Sequence, residues 1–250
     1  MASGIQIIMH ALRMVWNNRW MALRIGLLPV VLMIVSAAVL RAPGTPIWSM
    51  GHAQTFLEIM INAFQGDNAF LLMLVWGFAS VWTFVNWHRF ILLAEYPKGW
   101  FPPVRQEVGV AYAMAALKLI GLWVVSMFIL IFVVAIALRG SSWVLLVGNI
   151  ILIFVILRLS PILPAAAIGQ KMGLVESLVS TESISGAILV IMAARYGVDR
   201  AVQLVVAGAA DVNEGLGLIL WVTLTLFLSL VNASILTTIY GYCVQGRSLA

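Results

Sequence analysis

Long apolar runs, separated by polar or proline-bearing stretches, succeed one another along this chain. They follow neither the period of two of a half-buried strand nor the narrow stripe of a soluble amphipathic helix. A run of roughly 20 apolar residues is instead the length of one helix across a bilayer. The runs predict spans at about 21–40, 69–87, 111–138, 143–157, 184–208 and 216–243. The segment before them, 4–20, has a different pattern. Ile5, Ile8, Leu12, Val15 and Trp16 fall near one helical face, with Gln6, His10, Arg13 and Asn17 mostly elsewhere. That division predicts an amphipathic helix lying in the headgroup region, capped or broken at Asn17-Asn18. A secretory signal with Ser36 and Ala38 before a cut is the competing reading. The basic stretch ahead of the apolar run is too long for it, so the segment is expected to be retained.

The connections sharpen the picture unevenly. Arg41 to Asn68 reads as a long loop broken by Pro43, Gly44 and Pro46, with a short surface helix at 52–64. A polar-aromatic connection runs from His88 through Pro102-Pro103, and Arg139-Gly140-Ser141-Ser142 is a tight turn that makes its flanking spans antiparallel neighbours. Pro161 and Pro164 prevent the helix that ends at Arg158 from continuing undisturbed. A re-orienting turn there leads into a short cytoplasmic helix at about 174–181. The fifth span is the hardest to place. Its apolar part, 184–194, rises only about 16 Å as a helix, roughly half the hydrocarbon thickness. Continuing to Gly208 places Arg195, Asp199 and Arg200 near mid-membrane. The alternative is a short span, or one kinked at Gly197, followed by an amphipathic surface helix at 201–210.

Composition excludes most other classes. The chain has 250 residues, 63% apolar and only 9% charged, against roughly 45–50% and about 25% in a soluble domain. A water-soluble fold, disorder and collagen all fail on these values, leaving one all-α integral membrane domain over 1–250, a polytopic bundle of about six helices. The net charge of +5 has a topological origin. With the N-terminus cytoplasmic, Arg13, Arg19, Arg24, Arg89, Lys98, Arg105, Lys118, Arg158, Lys171 and Arg247 share that side, while only Arg41 and Arg139 lie on the other. This positive-inside bias predicts both termini cytoplasmic and a crossing between about 182 and Asp211. It leaves no reason to invoke nucleic acid. Trp16, Trp20, Trp48, Trp87, Trp100, Trp143 and Trp221 are expected at interfaces, where amphipathic rings prefer to sit. The single cysteine, Cys243, forms no intramolecular disulfide, and no metal-ligand cluster accompanies it.

Candidate chemistry is sparse. Arg195 and Asp199, four apart on a helix, are placed to pair, and with Arg200 they form the candidate intramembrane charge site. Their bland reading is an interfacial pair beside a snorkelling arginine. Thr225, Ser229 and Asn232 project to nearly one face of the last span, either hydrogen-bonding neighbouring helices or lining a solute path. Trp87, His88, Arg89 and Arg158 are candidate contacts to lipid headgroups or a partner. Ligation of haem by His88 would need a second ligand, for which His10 is the only other histidine on that side. No catalytic motif, phosphate loop or internal repeat is present, and Pro29 is the only break in the first half to match Pro161 and Pro164.

Two motifs resemble a known group. Trp87-His88-Arg89-Phe90-Ile91-Leu92-Leu93-Ala94-Glu95-Tyr96-Pro97 resembles a WHR-hydrophobic-E-x-P stretch of uncharacterised bacterial inner-membrane proteins. Arg158-Leu159-Ser160-Pro161-Ile162-Leu163-Pro164, followed by Gly173-Leu174-Val175-Glu176-Ser177 and Thr181, resembles an R-x-S-x-x-L-P…G-x-x-x-S-x-x-x-T segment of the same group. That group is similar to the six-helix membrane domain attached to some glycerophosphodiester phosphodiesterases. The resemblance covers roughly residues 80–245 and implies a bacterial inner membrane and six helices. It implies no reaction, because the soluble hydrolase barrel has no room here, and the charges at Arg195 to Arg200 depart from the group's apolar fifth span.

The resulting expectation is a non-catalytic accessory or scaffold protein without cofactor or metal. It would bind membrane lipid or another integral membrane protein through its helix faces. A small-solute or lipid transporter using the charged fifth span and the polar stripe of the sixth is the first alternative. A membrane-embedded haem protein or enzyme is the second.

Overall fold

The expected helices form, with boundaries that differ informatively. A computed structural model describes residues 2–40, 68–97, 99–137 and 142–249. It contains α1 (Gly4–Asn17), α2 (Arg19–Leu40), α3 (Ala69–Leu93), α4 (Gln106–Ala137), α5 (Ser142–Leu159), α6 (Ile162–Ala167), α7 (Leu174–Ser180), a 3-10 turn (Glu182–Ile184), α8 (Ser185–Val212) and α9 (Glu214–Cys243). No strand occurs among the described residues. Five helical stretches are long and apolar enough to cross a membrane: Arg19–Ser36, Ala69–Leu93, Gln106–Ile136, Ser142–Ala167 and Gly215–Cys243. A sixth is obtained if Leu174–Ser180 and Glu182–Val212, bent by 50°, count as one. The expected loop over 41–67, its helix at 52–64, and the turn residues Arg139, Gly140 and Ser141 lie outside the described residues.

A capping box starts α1: Gln6 N–H donates to Ser3 Oγ (3.2 Å), and Ser3 N–H donates to Gln6 Oε1 (2.8 Å). The helix ends where expected, at Asn17-Asn18, with Asn18 Nδ2 donating to the Met14 carbonyl (2.8 Å). Gly4, Ile7, Ala11 and Val15 face α8 and α9, while Ile5 and Trp16 of the apolar face are 65% and 64% exposed. Small residues decide which stripe meets the bundle, because they let helix axes approach. A Cβ at Gly4 would stand 2.6 Å from the Ala187 carbonyl oxygen. Close approach selects the stripe containing Gly4 and Ala11 and leaves Ile5 and Trp16 outward.

The main core gathers Ile7, Ile25, Trp87, Ile188, Leu230 and Ile239 from α1, α2, α3, α8 and α9. A smaller cluster joins Ala115 and Leu119 of α4 to Leu159 and Ile162. Helices α4 and α5 pair, as the tight turn predicts, yet Phe128, Phe132, Ile136, Trp143, Val147 and Ile151 remain exposed along them. Two boundaries move. Helix α3 runs past Trp87 to Leu93 and stops where Ala94 adopts a left-handed conformation (φ 53°). Helix α8 continues past Gly197 without a break in the helix. Its 28 residues rise about 42 Å.

Candidate functional site

The extension of α3 turns the Trp87-His88-Arg89 triplet inward. Trp87 and His88 are fully buried. The Trp87 indole N–H donates to Ser234 Oγ (2.9 Å), whose own hydroxyl donates to the Leu230 carbonyl (2.8 Å). His88 Nδ1 lies 2.7 Å from Thr237 Oγ1. The Thr237 hydroxyl donates to the Ala233 carbonyl (2.7 Å), so it can only accept from the ring. The network therefore assigns the proton to Nδ1 and leaves Nε2 to accept from the Tyr112 hydroxyl at 3.5 Å. Both ring nitrogens have protein partners, and the Trp87 ring does not reach an interface.

Arg89 and Arg158 are likewise internal. Arg89, whose side chain is 12% exposed, holds Glu95 through Nε (2.9 Å) and a terminal nitrogen (2.5 Å), and donates to the Ala167 carbonyl at the end of α6 (3.0 Å). Arg105 reaches the other side of the Glu95 carboxylate (2.6 Å). Chiefly through the Arg89 hydrogen bond, the Glu95 carboxyl is held below its ordinary range. The connection is pinned further by Trp82 Nε1 on the Pro102 carbonyl (3.1 Å) and Asn86 Nδ2 on the Pro103 carbonyl (3.2 Å). Arg158 donates to the Leu178 carbonyl and to Thr181 Oγ1, while Ser177 Oγ donates back to the Arg158 carbonyl (2.9 Å). The motif residues Arg158, Ser177 and Thr181 thus bind the end of α5 to α7. Of the four residues expected at headgroups or a partner, Trp87 and His88 are buried instead, and Arg89 and Arg158 also bond within the fold.

The charged group on α8 forms its expected pair: Arg195 Nε lies 3.7 Å from Asp199 Oδ2, with side chains 51% and 49% exposed. Arg200 stands 5.3 Å from the Tyr196 ring centroid and donates to Gln203 Oε1 (3.1 Å). Along the same helical stripe, Ile188 and Ile191 before the pair and Val206 and Ala210 after it are buried. The pair therefore interrupts a packing seam at its middle.

The polar stripe of α9 divides. Thr225 and Ser229 line a cleft of about 110 Å³ between α2, α3 and α9, whereas Asn232 stands outside it. The other walls include Met33 of α2, Trp76, Ser80 and Phe84 of α3, and Trp221. Helices α3 and α9 run parallel here. Trp76 and Ser80 share the cleft with Trp221 and Thr225, and further along Trp87 meets Ser234 and His88 meets Thr237. Each helix carries its tryptophan four residues before its hydroxyl, so rings and hydroxyls form successive levels. The indole of Trp76 donates to the Met33 carbonyl and Ser36 Oγ (both 3.2 Å), and Thr83 donates to the Ala79 carbonyl (2.8 Å). Among the described residues, the hydroxyls of Ser80, Thr225 and Ser229 make no hydrogen bond. Sequence reasoning missed Trp76 and Ser80. Their matching spacing with Trp221 and Thr225 is the signal that could have found them.

No family model, curated protein or solved structure matches the chain, so the geometry is the guide to its function.

Proposed function

We propose that this chain is a non-catalytic, multi-pass inner-membrane protein that binds lipid in the cleft between α2, α3 and α9. The observation that carries this reading is the cleft itself, an apolar recess whose walls include three residues with hydroxyls unbonded among the described residues. Free hydroxyls in a membrane helix ordinarily turn back to the carbonyl one turn earlier. The basic residues that favour one side support a cytoplasmic N- and C-terminus. The resemblance to bacterial inner-membrane proteins supports the location and carries no reaction with it. Helix α1 suits the interface on the same reading. Beside its buried stripe it presents an outward apolar stripe of Ile5, Met9 and Trp16 and a polar one of Gln6, Arg13 and Asn17.

A transporter built on the charges of α8 and the hydroxyls of α9 has less support. Helix α8 contributes no lining residue to the cleft, so the two features do not share a path. Attachment to another membrane protein has one specific observation in its favour. The α4–α5 hairpin exposes most of its surface, and Asn149 Oδ1, buried within it, has no partner among the described residues.

The test is mass spectrometry of lipid retained by the full chain purified in mild detergent. Wild type is expected to carry lipid at near one per chain, and Thr225→Trp, which fills the cleft, to lose most of it. Equal lipid in both proteins, or none in wild type, would sink the reading.

A further inference from the structure

Resting on the reading of the cleft as a lipid site, we infer that its ligand is an uncharged amphiphile whose carbonyl or hydroxyl group is inserted against Ser80, Thr225 and Ser229, with its tail left outside in the lipid. The first ground is what the cleft lacks. Among the described residues, none that lines it is ionisable, and the charged pair Arg195–Asp199 belongs to α8, which does not reach it. A phosphate or carboxylate inserted there would lose its hydration without gaining a counter-charge, a cost far above that of burying a neutral oxygen. A phospholipid headgroup and a fatty-acid anion are thereby disfavoured.

The second ground is what the cleft offers. Other hydroxyls of these helices are occupied: Thr83, Thr223, Ser234, Thr237 and Thr238 each donate to a carbonyl four residues back. Ser80, Thr225 and Ser229 do not, and each keeps a donor and two acceptor positions. Three such groups around one space match a ligand oxygen, which accepts as a carbonyl or both donates and accepts as a hydroxyl. A pure hydrocarbon would offer none of the three a partner.

The third ground is size. A cleft of about 110 Å³ is smaller than the ~150 Å³ apolar cavity that admits benzene. It takes one small head and no more, so the rest of a lipid must leave by the open side. The Trp76 and Trp221 rings, one turn before the hydroxyls, form the apolar collar around what passes. Two sources share this chemistry: a diacylglycerol, which presents a hydroxyl and ester carbonyls, and a prenylated quinone, which presents ring carbonyls.

The experiment uses the full chain in detergent micelles, with tryptophan quenching by three probes. They are a bromine-labelled diacylglycerol, a decyl benzoquinone, and a bromine-labelled fatty acid held ionised at pH 8. At least one neutral probe is expected to bind about tenfold or more tightly than the fatty acid. The triple variant Ser80→Ala, Thr225→Val, Ser229→Ala is expected to weaken that probe about tenfold, and Trp221→Phe to reduce its quenching. The triple variant removes no hydrogen bond among the described residues, so its thermal unfolding should match wild type and a loss of binding reports the ligand contact. Which neutral probe prevails identifies the source, and either outcome supports the inference. Neutral probes that bind the triple variant unchanged, or an ionised fatty acid that binds equally well, overturn the inference and leave the cleft as a lipid site. Failure of all probes together with absence of retained lipid removes both.

Discussion

Helix α9 carries two sets of hydroxyls with opposite fates. In its C-terminal half, Ser234, Thr237 and Thr238 each donate back along the helix, and the first two also accept from Trp87 and His88. Near its middle, Thr225 and Ser229 lie beside the cleft with no partner among the described residues. The residue types are the same and the neighbours differ. A hydroxyl closed in by α3 becomes part of the scaffold, and the exposed Thr223 is spent on the Ile219 carbonyl, whereas Thr225 and Ser229 beside the cleft keep their capacity for something from outside. Polarity within a membrane helix therefore does not by itself mark a site; unspent hydrogen-bonding capacity does.

Five substitutions test that contrast, in descending order of effect. Trp87→Ala empties a fully buried position and frees the Ser234 hydroxyl, and should cost about 3–5 kcal/mol, read as a large fall in the thermal unfolding midpoint in detergent. Thr237→Val removes the acceptor of the His88 Nδ1 proton, and about 1–3 kcal/mol is expected, with unfolding unaltered from wild type being the contrary result. Glu95→Gln weakens the clamp between Arg89 and Arg105 by no more than about 1 kcal/mol, because the pair is partly solvated. Its native counterpart gives a pH signature. The Glu95 carboxyl is lowered in the folded chain, so its contribution is complete above about pH 4.3, the unfolded value, and is lost as pH falls through the lower folded one. Acid unfolding of wild type should be steeper there than that of Glu95→Gln. Smallest of all, Thr225→Val and Ser229→Ala should each alter stability by less than about 0.5 kcal/mol. A loss comparable with that of Thr237→Val would show that the two sets of hydroxyls are not different after all.

Helix existence was legible in the sequence and helix facing was not. Lipid tails are as apolar as a protein core, so a spanning sequence needs no polar side and gives little indication of which residues meet the bundle. This explains Trp87 and His88. At the end of an apolar run they match an interfacial anchor, and only the arrival of Ser234 and Thr237 makes them core. It also explains Ser80, which has no distinguishing neighbour on its own helix until α9 lies alongside. For helix α8 the sequence leaves two courses open, because Gly197 and the charges around it interrupt the apolar run. The backbone hydrogen bonds continue through them over 28 residues. The Arg195–Asp199 pair itself was readable, because a spacing of four is a local property.

The close seat of α1 has a consequence in time. Its partners are α8 and α9, and the Ala2 backbone N–H donates to the hydroxyl of Tyr242, 240 residues further along the chain. At ribosomal rates of roughly 5–20 residues per second, that separation amounts to about 10–50 s of synthesis. Helix α1 must wait for α8 before Gly4 can settle against Ala187, and for α9 before its seat is complete. On the reading that it lies in the interface, its outward apolar and polar stripes give it somewhere to wait while the rest of the chain is made.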